Sequence, residues 1–265
     1  GANSITKELA LIVTNDDSKN GLNFSYDNAK VSVPITELSA FVVEFWANPA
    51  SLSNYCWGMG DKTSTLLMNV GSNGAMTVSV NGGTVKSDEG YVQPGIWNHY
   101  AIKRDFRGNL SFYRNGEVFS EATVKSTKIS GMEAFVLGAG GFPLKGSIDE
   151  FRIWASGNVD IAALCNQHMD DAESYAQDSK LLVYYDFNQS GGNVIDRSGN
   201  GNDGVRTGFG PDGDAWGLSK GVFSLYLGDK LEDETITAVE DVWQDEPVSA
   251  GRKGVYTLSG QYAGK

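Results

Sequence analysis

The chain has 265 residues, enough for one large β domain or a domain with a smaller annex, and it can bury a core that needs neither metal nor disulfide to fold. Its 21 Lys and Arg stand against 33 Asp and Glu, a net charge of −12. Such acidity excludes nucleic acid as a partner and repels an anionic membrane, whereas neutral glycans, calcium and cationic partners stay open.

The 33 glycines, with many Asn, Ser and Thr between short apolar stretches, point to strands divided by tight turns and so to an all-β fold. No apolar run approaches the ~18 residues of a membrane span, so no membrane insertion is expected. The start, Gly1-Ala2-Asn3-Ser4, lacks the basic and apolar regions of a signal peptide and reads as a mature or trimmed form. Cys56 and Cys165 are in no metal-ligand spacing; two buried thiols or a single disulfide both fit.

In chain order, FVVEFWANP places Phe41, Val43, Phe45 and Ala47 on one face of a strand and Val42, Glu44, Trp46 and Asn48 on the other. Large apolar groups on both faces predict a strand covered on two sides. Asn73-Gly74 and Asn81-Gly82-Gly83 mark turns around GAMTVSV. NLSFYRNGEVFSE predicts a hairpin, because Asn115-Gly116 suits the two positive φ angles of a type I′ turn. Ile161, Leu164, Cys165, His168 and Met169 recur at helical spacing behind Asp160 as N-cap, predicting one short helix. Strand character returns at KLLVYYDFN and GVFSLYL, and from Gly228 the chain becomes acidic and turn-rich before VYTLSGQYAGK.

Five blocks, NGLNFSYDNAKVSVP, FVVEFWANP, GIWNHYAIKRD, LSFYRNGEVF and FPLKGSIDEFRIW, stand in the order and spacing of the laminin-G-like domains of the concanavalin A-like superfamily, which residues 20–155 resemble. The resemblance implies a jelly-roll sandwich of two antiparallel sheets with one short helix. It divides the chain into a core over 5–157, a helix and further strands over 158–227 that complete the sandwich or pack on it, and an acidic linker with a terminal element over 228–265. A second copy of the domain beginning at LLVYYDFN is disfavoured, because no second Trp-and-His strand follows. The ending is similar to the start of C-terminal sorting elements of exported Bacteroidetes proteins, which implies an extracellular, cell-surface or periplasmic location.

Catalysis is not expected. The fold's hydrolases carry alternating acidic residues on one strand, and the nearest approach here, Asp149-Glu150, would alternate to opposite faces of a regular strand. His99 and His168 lack a nucleophile partner; His99 is read as half-buried and hydrogen-bonded to backbone, His168 as packing. The expected function is recognition of a carbohydrate by a non-catalytic module, with a partner protein of the cell surface or a structural role as the alternative, and a glycoside hydrolase third. Tyr55, Trp57, Phe142 and Trp216 are the candidate sugar platforms, since they fall near turn residues, while Trp46, Trp97 and Trp154 read as core. Calcium is the candidate cofactor: the resemblance implies a site on Asp149 with Asp27 or Asn28, against the plainer reading in which Asp149 caps a turn or pairs with Arg152. In DRSGNGNDG and PDGDAW, the acidic and amide residues Asp196, Asn200, Asn202, Asp203, Asp212 and Asp214 read as turn formers before ligands.

Overall fold

The computed structural model describes residues 20–53, 56–166, 180–218, 255–256 and 262–264. Up to residue 218 they form two antiparallel sheets stacked on one apolar core. The first sheet runs β11 (Glu117–Thr123), β10 (Asn109–Arg114), β9 (Asn98–Arg104), β4 (Phe41–Pro49), β14 (Gly146–Trp154), β1 (Asn20–Phe24), β17 (Trp216–Leu218), with β15 (Leu181–Tyr185) also on β14. The second runs β16 (Val205–Thr207), β2 (Lys30–Val33), β13 (Phe135–Leu137), β5 (Cys56–Gly60), β6 (Leu66–Val70), β7 (Met76–Val80), β8 (Gly83–Lys86). A short pair, β3 (Glu37–Leu38) with β12 (Ile129–Ser130), lies beside them.

Alternation builds the core. Leu22, Phe24, Phe41, Phe45, Tyr100, Phe112 and Phe151 of the first sheet face Val31, Val33, Met59, Met68, Val78 and Phe135 of the second in one buried cluster. The hairpin forms as its turn chemistry requires: Asn115 and Gly116 have φ of 52° and 82° between β10 and β11. Asn81 and Gly82, at 47° and 76°, do the same between β7 and β8.

β4 is covered on both sides. Its outer face meets α1 (Ile161–Asn166), whose Ile161 and Leu164 pack with Val42, Ala101, Trp154, Leu181 and Tyr184, while Cys165 packs on Trp46. Asp160 caps this helix, with Oδ1 accepting the Ala163 N–H at 3.0 Å. His168 and Met169 lie outside the described residues. Cys56 and Cys165 are buried and form no disulfide: Cys56 belongs to the core between the sheets and Cys165 to the outer face of the first sheet, so that sheet separates them.

The strands after α1 join both sheets. One edge of β14 pairs with β4; its other edge is shared between β1, at Gly146–Ile148, and β15, at Phe151–Trp154. β16 extends β2, and β17 extends β1. Residues 181–218 thus complete the sandwich. A second unit, Leu227–Lys265, contains among its described residues a small ladder of Val255–Tyr256 with Tyr262–Gly264. Among the described residues no helix is long and apolar enough to cross a membrane.

Gly146 begins β14 at φ 118°, where a Cβ would lie 2.2 Å from the Asn48 carbonyl oxygen and 2.6 Å from the Ala50 nitrogen. Gly146→Ala is expected to lower unfolding free energy by about 2–4 kcal/mol, since both backbone strain and a clash with backbone oppose it. Urea unfolding followed by tryptophan fluorescence measures this.

Candidate functional site

The outer face of the first sheet carries a concentration of polar side chains, with a sealed half and an open half. The sealed half lies under α1. β9, β4 and β14 are successive neighbours, which brings His99, Glu44 and Arg152 together from distant parts of the chain. Glu44 Oε2 is 2.6 Å from His99 Nε2, and Glu44 Oε1 accepts from Arg152 at 3.0 Å and from Trp154 Nε1 at 3.3 Å. Arg152 also pairs with Glu150 and lies over the Tyr184 ring, 4.4 Å from its centre, while the Tyr184 hydroxyl donates to Glu150 at 2.7 Å.

The Glu150 carboxylate reaches this face because β14 is irregular. Glu150 adopts φ 50°, and the register against β4 shifts between Asp149 and Arg152. Ile148 and Phe151 both enter the core cluster, so the two residues between them, Asp149 and Glu150, share the outer side. The expectation that these two alternate to opposite faces is therefore corrected: the bulge cancels the alternation. It creates no open acidic pair, however, since Glu44, Asp149 and Glu150 are 0%, 3% and 1% exposed. His99 is also corrected, being fully buried and bonded to a carboxylate as well as through its backbone.

Burial raises the Glu44 carboxyl, but Arg152 and His99 outweigh that and hold it below the usual carboxylate range. Burial dominates at Glu150, where Arg152 and the Tyr184 hydroxyl only partly offset it, and the carboxyl is pushed up to about 7. Burial lowers the Arg152 guanidinium, yet Glu44 and Glu150 overcome this and keep it firmly protonated.

The open half lies beyond Tyr113, which packs on the cluster under α1. A cleft of 510 Å³ lies over β9–β11, lined by Lys103, Asp105, Asn109, Ser111, Tyr113, Glu121 and Thr123 among others. Ser111 stands opposite both Lys103 and Glu121, and Asn109 opposite Thr123. The Ser111 hydroxyl donates to Glu121 at 3.1 Å, and the Asn109 amide to Asp105 at 2.8 Å. Half-buried Tyr113 packs against the cluster under α1 and is one of the residues lining the cleft. Its phenol is raised by partial burial and by Glu121.

The aromatics singled out in the sequence lie elsewhere. Trp57 is 1% exposed in the core, because a register shift between Cys56 and Met59 and a φ of 56° turn it inward; it is no surface platform. Trp216 is likewise corrected: at 6% exposure it packs on Phe187 and beneath Arg206, held there by the pairing of β17 with β1. Phe142 is half-buried in the loop whose backbone lies against Gly58. Tyr55 lies outside the described residues.

Asp27, Asn28 and Phe142 do share one rim of the sandwich. Asp27 is exposed and bound to Lys145 at 2.8 Å, and Asn28 packs against Gly208. Asp149 lies instead on the sheet, its Oδ1 accepting the Glu150 N–H at 2.8 Å. Among the described residues no group of three or more His, Cys, Asp or Glu is placed to hold a metal ion. In the 196–203 loop, Asp196 accepts from the Tyr184, Ser198 and Asn202 N–H groups at 2.9–3.0 Å, and Asn200 and Asn202 donate to backbone carbonyls. That loop is a hydrogen-bonded turn. Asp212 opens a one-turn helix, Asp212–Ala215, and pairs with Arg206.

A family model described as concanavalin A-like lectin/glucanases superfamily matches residues 18–156, just over half of the chain. The chain belongs to this superfamily. No curated protein matches it. Among solved structures, a Bacteroides ovatus protein provisionally named for carbohydrate binding is 20% identical over 76% of this chain, with a TM-score of 0.58. The superfamily member described here spans 60% of that protein's length. A heptameric pentraxin from Limulus polyphemus is 14% identical over 57% of this chain and 84% of its own, with a TM-score of 0.45. A Ruminococcus gnavus sialidase module bound to sialyllactose is 15% identical over 53% and 99%, with a TM-score of 0.40. At these identities the likeness is one of fold.

Two outcomes test the sealed cluster. Arg152→Met is expected to lose about 3–5 kcal/mol in chemical unfolding, since it strands buried Glu44 beside Glu150. Glu150 binds its proton more tightly folded, near pH 7, than unfolded, near 4.5, so its contribution is full at low pH and lost as pH rises through about 7. Unfolding free energy measured from pH 5 to 8 should fall by on the order of 2–3 kcal/mol from this group, and Glu150→Gln should flatten that slope.

Proposed function

We propose that this chain is a non-catalytic module that binds a carbohydrate in the β9–β11 cleft, in an exported setting. The observation that carries this is the contrast between the two halves of one sheet face. The acidic side chains on the sealed half are buried, Glu44 and Glu150 being tied to Arg152, whereas the open half offers an aromatic and several hydroxyl, amide and charged groups. Sugar recognition needs this mixture: an apolar surface for the ring face and sparse, rigid polar partners for the hydroxyls. Tyr113 supplies the first, and Asn109, Ser111, Thr123 and Glu121 the second. The cleft falls within the ~300–1,000 Å³ common for small-ligand sites. The superfamily and the provisional name of the Bacteroides ovatus relative agree with this reading, and the C-terminal sorting-like segment agrees with export.

Tyr113→Ala should weaken binding about tenfold, ~1.4 kcal/mol, on a glycan array followed by titration calorimetry, while Tyr113→Phe keeps most of it. Unchanged affinity in the alanine variant would remove the cleft from the site. Calcium at the expected Asp27 position would compete with Lys145, which pairs with that carboxylate at 2.8 Å, and would lie apart from the cleft. Chelation is expected to leave affinity and melting temperature unchanged, and a loss restored by calcium would move the site to that rim.

A further inference from the structure

The charge of the cleft deepens this reading, on which the following rests, by selecting among glycans. Its lining carries one cation, Lys103, against two carboxylates, Asp105 and Glu121, in a chain of net charge −12. Asp105 is fixed as an anion. Its Oδ1 accepts the Arg107 and Asn109 N–H groups at 2.8 and 2.9 Å and its Oδ2 the Asn109 amide at 2.8 Å; slight burial raises the carboxyl, but these bonds outweigh it and lower it. Glu121 is held in place by Ser111, and among the described residues no salt bridge joins it to a basic side chain. Lys103 and Glu121 lie two strands apart across Ser111, about 10 Å between backbones, so the lysine leaves the Glu121 side of the cleft negative. Arg107 stands over the Phe106 ring, 5.2 Å from its centre, and is not among the lining residues.

A sugar ring stacked on Tyr113 therefore meets hydroxyl and amide groups that both donate and accept, beside a fixed excess of negative charge. A carboxylate or sulfate on that ring would come within a few ångströms of Glu121, and Lys103, two strands away, is the one cation of the cleft lining to offset the two carboxylates. We infer that the cleft takes neutral polysaccharides and rejects those bearing uronic acid, sialic acid or sulfate.

The test uses a panel of uronic-acid polysaccharides, each paired with its carboxyl-reduced form, in affinity electrophoresis and calorimetry of the whole chain. The reduced form should bind at least about tenfold more tightly at low salt, and the gap should narrow near 0.5 M salt as exposed charges are screened. Glu121→Gln should narrow the gap about threefold to tenfold without weakening the neutral partner by more. Equal or tighter binding of the acidic forms overturns the inference while leaving glycan binding intact. If no member of the panel is retained, or if Tyr113→Ala binds the neutral forms as well as the parent does, the cleft itself fails and the inference with it.

Discussion

Arg152 holds a full positive charge in the middle of a sheet face from which water is excluded, and much of the molecule is arranged around that fact. A guanidinium so placed is tolerable only with anions and hydrogen-bond acceptors on several sides. Glu44 comes from the neighbouring strand, Glu150 from the bulge on its own strand, and the Tyr184 ring and hydroxyl from the strand beyond. Each must arrive in one register. A slip of one residue in β4 or β15 would send an acidic or aromatic group into the apolar core and leave the cation unmatched. The network thus specifies how three strands pair, and α1 then covers it with Ile161 and Leu164.

The covering explains why this face divides in two. Where α1 and its apolar contacts lie, ionisable groups with catalytic character are unreachable. Beyond Tyr113 the same sheet continues with hydroxyls, amides and carboxylates that line an open cleft. The proposed role in carbohydrate recognition rests on this partition.

Much of the fold was legible because some residues leave the backbone little choice. Asn115-Gly116 demanded two positive φ angles and so a hairpin, and apolar groups on both sides of FVVEFWANP demanded two covers. The bulges were not legible. Positive φ at Trp57 and Glu150 is carried by residues that rarely adopt it, and tertiary packing imposes it there. Each bulge reverses the facing of what it touches: Trp57 turned inward although its neighbours suggested a loop, and Glu150 joined Asp149 on one side although alternation separated them. The cleft has its own signal in the strand alternation. In LSFYRNGEVF, Leu110 and Phe112 claim the core, so Ser111 and Tyr113 must face outward.

The shared edge of β14 bears on where this fold can be cut. The family match ends at residue 156, but the strand closing that stretch has half of its second edge covered only by β15, and β2 and β1 take β16 and β17 as outer neighbours. A fragment trimmed to the matched stretch would expose the central strand's amide and carbonyl groups and strip Tyr184 from Arg152. Open backbone of that kind recruits other chains. The self-sufficient folding unit is therefore longer than the stretch by which the superfamily is recognised, and the later strands belong to its interior architecture.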